Sequence, residues 1–240
     1  AASCGTGNRV WTGWRNEQGC GGSNLCSASG TSASCTSCAM GCTAGQCVTQ
    51  PTHRICIDPG YGPASGPSSG GVAGHDVTWS AAQHLVNWLN ADTNAPQGGG
   101  TWAITLTRTA SSTPGATARR DICNAAGAAR VISIGINGFN GSARGSETYH
   151  KTSAPASWIT YATQVQAQVI AKGGLPDRGV KSTGSFTILT TTAPSVWTFL
   201  GFLDNSTDRA SLSSNAWRRE VARGLLHAIQ QTMGYAPYTP

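Results

Sequence analysis

The run Arg54-Ile55-Cys56-Ile57-Asp58-Pro59-Gly60-Tyr61-Gly62 is an apolar, β-rich segment that stops at a proline and opens into a glycine-spaced loop. Its apolar residues are contiguous rather than alternating, which predicts a strand over Arg54 to Ile57 covered on both faces. Ligands of open α/β sheets bind outside the carboxyl ends of such strands. Asp58, Tyr61 and the Gly, Ser and Pro-rich loop from Gly62 to Gly74 are therefore expected at the mouth of a site.

Downstream, short β-rich runs alternate with helical stretches, the pattern of an α/β domain. Further strands are predicted at Trp102 to Thr107, Arg130 to Ile136, Ser146 to His150, Phe186 to Leu189 and Val196 to Phe199, and helices at about 76 to 90, 117 to 127, 156 to 172 and 214 to 233. Trp217, Val221, Leu225, Ala228, Ile229 and Met233 form one apolar stripe with Gly234 as a stop, and Trp158, Ala162, Val165 and Val169 form another. Such stripes belong to a core.

Upstream, Gly, Ser, Thr and Cys dominate residues 1–50 with almost no apolar periodicity, so this arm must rely on cross-links. Nine cysteines stand at Cys4, Cys20, Cys26, Cys35, Cys38, Cys42, Cys47, Cys56 and Cys123, a density that suggests disulfides made in an oxidising compartment. Metal binding by Cys35, Cys38, Cys42 and Cys47 is the competing reading; it lacks a histidine and a second Cys-x2-Cys pair. The odd count leaves one cysteine over. Cys56 and Cys123 are read as buried free thiols, as partners of each other, or as partners of the arm, and Ala2-Ser3-Cys4 is loosely similar to a lipoprotein processing site. The opening Ala-Ala-Ser reads as a mature end after export.

Only 11% of the 240 residues are charged, the net charge is +6, and no apolar run approaches the roughly 20 residues of a membrane helix. The expected setting is secreted, extracellular or cell-surface, with the periplasm as an alternative. The positive balance favours an anionic partner such as a cell-wall polymer, and no basic stripe interleaved with aromatics points to nucleic acid.

Ile55 to Gly62 is followed in order by Leu106-Thr107-Arg108, by Arg120 four residues before Asn124, and by Ser133-Ile134-Gly135-Ile136-Asn137. Gly145-Ser146-Glu147, Arg178-Gly179-Val180-Lys181, Pro194-Ser195-Val196 and Gly201-Phe202-Leu203-Asp204-Asn205 come after. Together they resemble the zinc-dependent N-acetylmuramoyl-L-alanine amidase family over residues 51–240. The resemblance implies an α/β domain of three layers, a mostly parallel mixed sheet of about six strands flanked by helices, behind an arm at 1–50.

It also implies three zinc ligands, a His after Asp-Pro-Gly, a Glu opening the first helix and a His in a Ser-Ile-His-Ala-Asn run, with a further Glu before Gly-Phe-Leu-Ser-Asn as general base. Three protein ligands leave an open position for a water whose proton the carboxylate takes. Here Tyr61, Gly135 and Phe199 stand at three of these positions, and the remaining ligand falls near Gly74, His75 or Asp76. A protonated phenol is a poor ligand, and glycine and phenylalanine offer none. The expectation is a catalytically inactive member without cofactor, a wall-binding or structural subunit of an extracellular assembly whose partner is peptidoglycan, another surface polymer or other protein subunits. The alternative is an active zinc amidase with displaced ligands.

Asp58, Tyr61, His75, Asp76, Arg120, Glu147 and His150 are the candidate cleft residues. His75, Asp76, Glu147 and His150 could converge into a relocated metal or acid/base site; scattered surface roles are the plainer reading. His84 and His227 fall in helices as hydrogen-bonded boundary residues, and Ser133 lacks a Gly-x-Ser-x-Gly frame. Asp58 is expected to brace the loop. Trp11 and Trp14 are candidate glycan or protein contacts that could equally pack on disulfides. Asn140-Gly141-Ser142 and Asn205-Ser206-Thr207 match a glycosylation sequon that is common by chance.

Overall fold

The computed structural model describes residues 52–63, 65–93 and 99–240, and before them only the backbone of short strand segments. Contacts divide the chain into two compact units, Ala1–Thr52 with Asp92–Thr101, and His53–Ala91 with Trp102–Pro240. In the first, Asn24–Ser29 pairs antiparallel with Ser32–Ser37, and shorter pairs join Ala2–Ser3 to Val10–Trp11 and Cys42–Thr43 to Gln46–Cys47. The side chains expected to matter there, from Cys4 to Cys47 together with Trp11 and Trp14, lie outside the described residues.

The second unit carries a six-stranded sheet: β1 (Thr52–Pro59), β2 (Thr101–Leu106), β3 (Arg130–Asn137), β4 (Ser146–Lys151), β5 (Asp177–Thr183) and β6 (Ser195–Phe202), in the order β2-β1-β3-β6-β4-β5. β1, β3 and β6 run parallel, and β4 turns antiparallel to β6 and pairs parallel with β5. Helices α1 (Gly74–Thr93), α2 (Ala116–Ala125), α3 (Ala156–Gly173), α4 (Ser206–Ser213) and α5 (Asn215–Thr232) complete it. This is the expected mostly parallel α/β sheet. Among the described residues no helix is long and apolar enough to cross a membrane.

Alternation along β1 decides which helices cover which face. Ile55 and Ile57 join Ile132, Ile134 and Leu200 with Leu85 and Leu89 of α1, Tyr161 and Val165 of α3, and Leu225 and Ile229 of α5. Cys56 points the other way, into a smaller cluster with Cys123 of α2, Val131, Ile188 and Leu189. Cys56 and Cys123 form a disulfide across 67 residues, which selects one of the open readings of this pair.

One expected element is corrected. The apolar run at Phe186 to Leu189 is not a strand but leads into a 3-10 turn, Thr187–Thr190, whose Ile188 and Leu189 fill the second cluster. The sixth strand is β5, whose charged residues hide it from a hydrophobicity reading. Local caps agree with the chain: the Asn205 side chain accepts from Thr207 and Asp208 at the start of α4, Ser214 accepts from Trp217 at the start of α5, and Gly174, at φ 67°, closes α3.

Candidate functional site

At the carboxyl end of β1 the Asp58 carboxylate is fully buried. It accepts hydrogen bonds from the Thr107 hydroxyl (2.5 Å), the Ser133 hydroxyl (2.5 Å) and the Arg119 guanidinium (2.6 Å). One anion meets one cation and two donors, so the group is satisfied where an unpaired buried charge would be costly. Arg108 donates to the carbonyls of Pro59 (2.9 Å) and His75 (2.9 Å), and the Thr78 hydroxyl to that of Gly60 (2.6 Å). The loop after β1 is thereby tied to α1 and β2.

Tyr61 sits on this loop in the left-handed region, φ 64°, which bulky residues seldom adopt. Two contacts hold it there: its hydroxyl donates to the Ile136 carbonyl at 2.6 Å, and its ring lies where Gly66 has no side chain, since a Cβ on that glycine would fall 2.4 Å from the ring. Burial pushes the phenol up to about 12, against the opposing pull of the Ile136 hydrogen bond and Arg119. At neutral pH it is a neutral donor committed to backbone.

Gly135 lies beside Phe199 in the β3–β6 register. A Cβ placed on it would lie 2.2 Å from the Trp197 indole nitrogen and 2.9 Å from the Phe199 ring. No residue larger than glycine fits until those rings move. Trp197 and Phe199 stack with centroids 5.4 Å apart, and Phe186 and Tyr149 close around them at 4.5 Å from Trp197 and 5.8 Å from Phe199. Aromatic rings occupy the space beside Gly135.

Across from Phe199 in the antiparallel β4–β6 register stands Glu147. Its buried carboxylate accepts from Lys181 (2.5 Å), Arg178 (2.8 Å), Asn137 (2.8 Å) and Tyr149 (3.1 Å). Burial alone would raise its pKa; the hydrogen bonds from Lys181, Arg178 and Asn137 outweigh that and hold it below the usual carboxylate range. A carboxylate so held is a poor proton acceptor.

The other candidates do not come together. His75 lies 3.3 Å from Asp76 and exposes little of itself, whereas Asp76 faces solvent; the His150 ring contacts the Lys151 carbonyl at 2.8 Å. Among the described residues no three His, Cys, Asp or Glu side chains are grouped where they could hold a metal ion. These positions do not supply the donor set of a zinc ion. Arg120 is a correction of one residue: it pairs with its exposed neighbour Asp121, and Arg119, about 100° away around α2, is the arginine that reaches Asp58. His84 meets Asn215 (2.9 Å) and His227 the Tyr238 carbonyl (3.0 Å), both ordinary boundary contacts.

A mostly parallel sheet with an Asp-Pro-Gly turn at the carboxyl end of β1 defines an α/β protein by fold. Residues 55–231 match the family described as N-acetylmuramoyl-L-alanine amidase, and the chain belongs to that family. It is 33% identical over 174 residues to the N-acetylmuramoyl-L-alanine amidase CwlM of Bacillus licheniformis, covering 71% of this chain and 65% of that protein. It is 29% identical over 180 residues to the sporulation-specific N-acetylmuramoyl-L-alanine amidase of Bacillus subtilis, covering 74% of this chain and 67% of the relative. The chain thus spans about two thirds of these relatives. The crystal structure of an N-acetylmuramoyl-L-alanine amidase from Clostridium difficile 630 shares the fold, with a TM-score of 0.70 at 20% identity over 76% of this chain and 97% of that one.

Proposed function

We propose that this chain is an amidase-fold protein that holds peptidoglycan without cutting it, secreted or displayed at the cell surface, with residues 1–50 as a disulfide-stapled arm. The observation that carries the reading is the filling of the space at Gly135 by Trp197 and Phe199. Two positions at which the family places a metal ligand and a general base are occupied by one packed aromatic stack. Tyr61, at a third, spends its hydroxyl on Ile136. The helix that should open on a ligating Glu opens on Gly74. The bracing beneath, from Asp58, Thr107, Ser133 and Arg119, holds the loop after β1 in place, which supports a cleft that serves as a surface.

The test is zinc content after dialysis against the metal, together with release of soluble peptide from labelled peptidoglycan and co-sedimentation with it. Binding without metal and without release is the expected result. Stoichiometric zinc that disappears on His75→Ala or His150→Ala, accompanied by peptide release, would establish the active reading with displaced ligands instead.

A further inference from the structure

Resting on that reading, we propose that the loop of residues 138–145, which carries the exposed Phe139, is a stacking platform for a sugar ring of the glycan strand. Phe139 is 78% exposed, and the other large hydrophobic side chain exposed among the described residues, Ile159, lies on α3. Exposure of one aromatic is unremarkable by itself. What sets Phe139 apart is that its backbone is fixed.

The Asp204 carboxylate accepts from the amides of Phe139 (2.9 Å) and Gly141 (2.7 Å), and the Asn205 side chain donates to the Gly141 carbonyl (3.0 Å). Asn140 accepts from the amides of Ser142 (3.1 Å) and Ala143 (3.0 Å), and buried Asp208 takes the Gly145 amide (2.7 Å) and pairs with Arg144 (3.5 Å). A ring held out on so constrained a loop binds without the ordering cost that a mobile loop would incur.

The kind of partner follows from the surroundings. The chain neighbours of Phe139 are Gly138, Asn140, Gly141 and Ser142, small residues that add no large apolar side chain to the ring, whereas a protein interface core is built from several. A pyranose needs less: one aromatic face for its C–H groups and polar neighbours for its hydroxyls. At the root of the loop Asn137 donates to Glu147, which is shared by Arg178 and Lys181, two partly exposed cations for one carboxylate. That surplus positive charge suits a glycan carrying carboxylates.

Co-sedimentation of the full chain with purified peptidoglycan decides this, using Phe139→Ala, Phe139→Tyr and, as a control exposed elsewhere, Ile159→Ala. Phe139→Ala is expected to weaken binding roughly 5- to 10-fold with thermal unfolding unchanged, while Phe139→Tyr and Ile159→Ala bind as the parent does. Equal binding by Phe139→Ala overturns the platform and leaves the peptidoglycan reading standing. No binding by the parent chain overturns both.

Discussion

Two buried carboxylates separate two regions at one edge of the sheet. Around Asp58 one arginine, Arg119, bonds the carboxylate directly, buried Arg108 adds a second positive charge that Asp58 feels, and the remaining donors are neutral hydroxyls sealed from water. Around Glu147 two cations share one carboxylate and both are partly open to solvent. The first region is scaffold: it fixes the loop after β1 to α2 and β2. The second keeps two cations partly open to solvent.

That division can be broken by substitution. Asp58→Ala strands the buried Arg119 charge and is expected to cost about 4 kcal/mol in chemical denaturation, against a smaller loss for Asp58→Asn. Replacing Cys56 and Cys123 together by serine removes the other tie between β1 and α2 and should cost about 2–4 kcal/mol; a change near zero would mean that the ion pair alone suffices. Gly135→Ala should cost about 1–3 kcal/mol by overpacking, and the loss should shrink when Trp197→Leu is added, a coupling that a double-mutant cycle reads directly.

Glu147 gives the smallest and most specific effect. Its folded-state pKa is depressed, so its contribution is present above the ordinary value of 4.5 and is lost as pH falls through the lower folded value. Glu147→Gln should flatten the acid limb of the stability curve below about pH 4.5, where the parent curve declines, and leave the bonds around Asp58 untouched.

Much of this fold was legible because the motifs that mark it are backbone motifs. The Asp-Pro-Gly turn, the apolar run at Val131 to Ile134 and the stripe of α5 announce themselves in any such sheet. β5 is hard to read because Asp177, Arg178 and Lys181 give an edge strand no apolar period, and the Phe186 to Leu189 run reads as a strand because a short apolar stretch does not reveal its geometry. At the site, the residue types at Tyr61, Gly135 and Phe199 are plain in the sequence, whereas the packing of Trp197 and Phe199 over Gly135 is not. The signal was there in part: Trp197 and Phe199 are two apart on one strand face, beside a glycine on the neighbouring strand. Counting back from one asparagine does not fix helix phase, so the sequence does not tell Arg119, which reaches Asp58, from Arg120, which pairs with Asp121.

The interlock of Gly135 with Trp197 and Phe199 acts as a ratchet on the sequence. A side chain at position 135 has no room until both rings shrink, and shrinking either ring first leaves a hole beside a glycine. Every one-step path toward a side chain at that position passes through a less stable chain, so the packing of these two rings itself selects for glycine there.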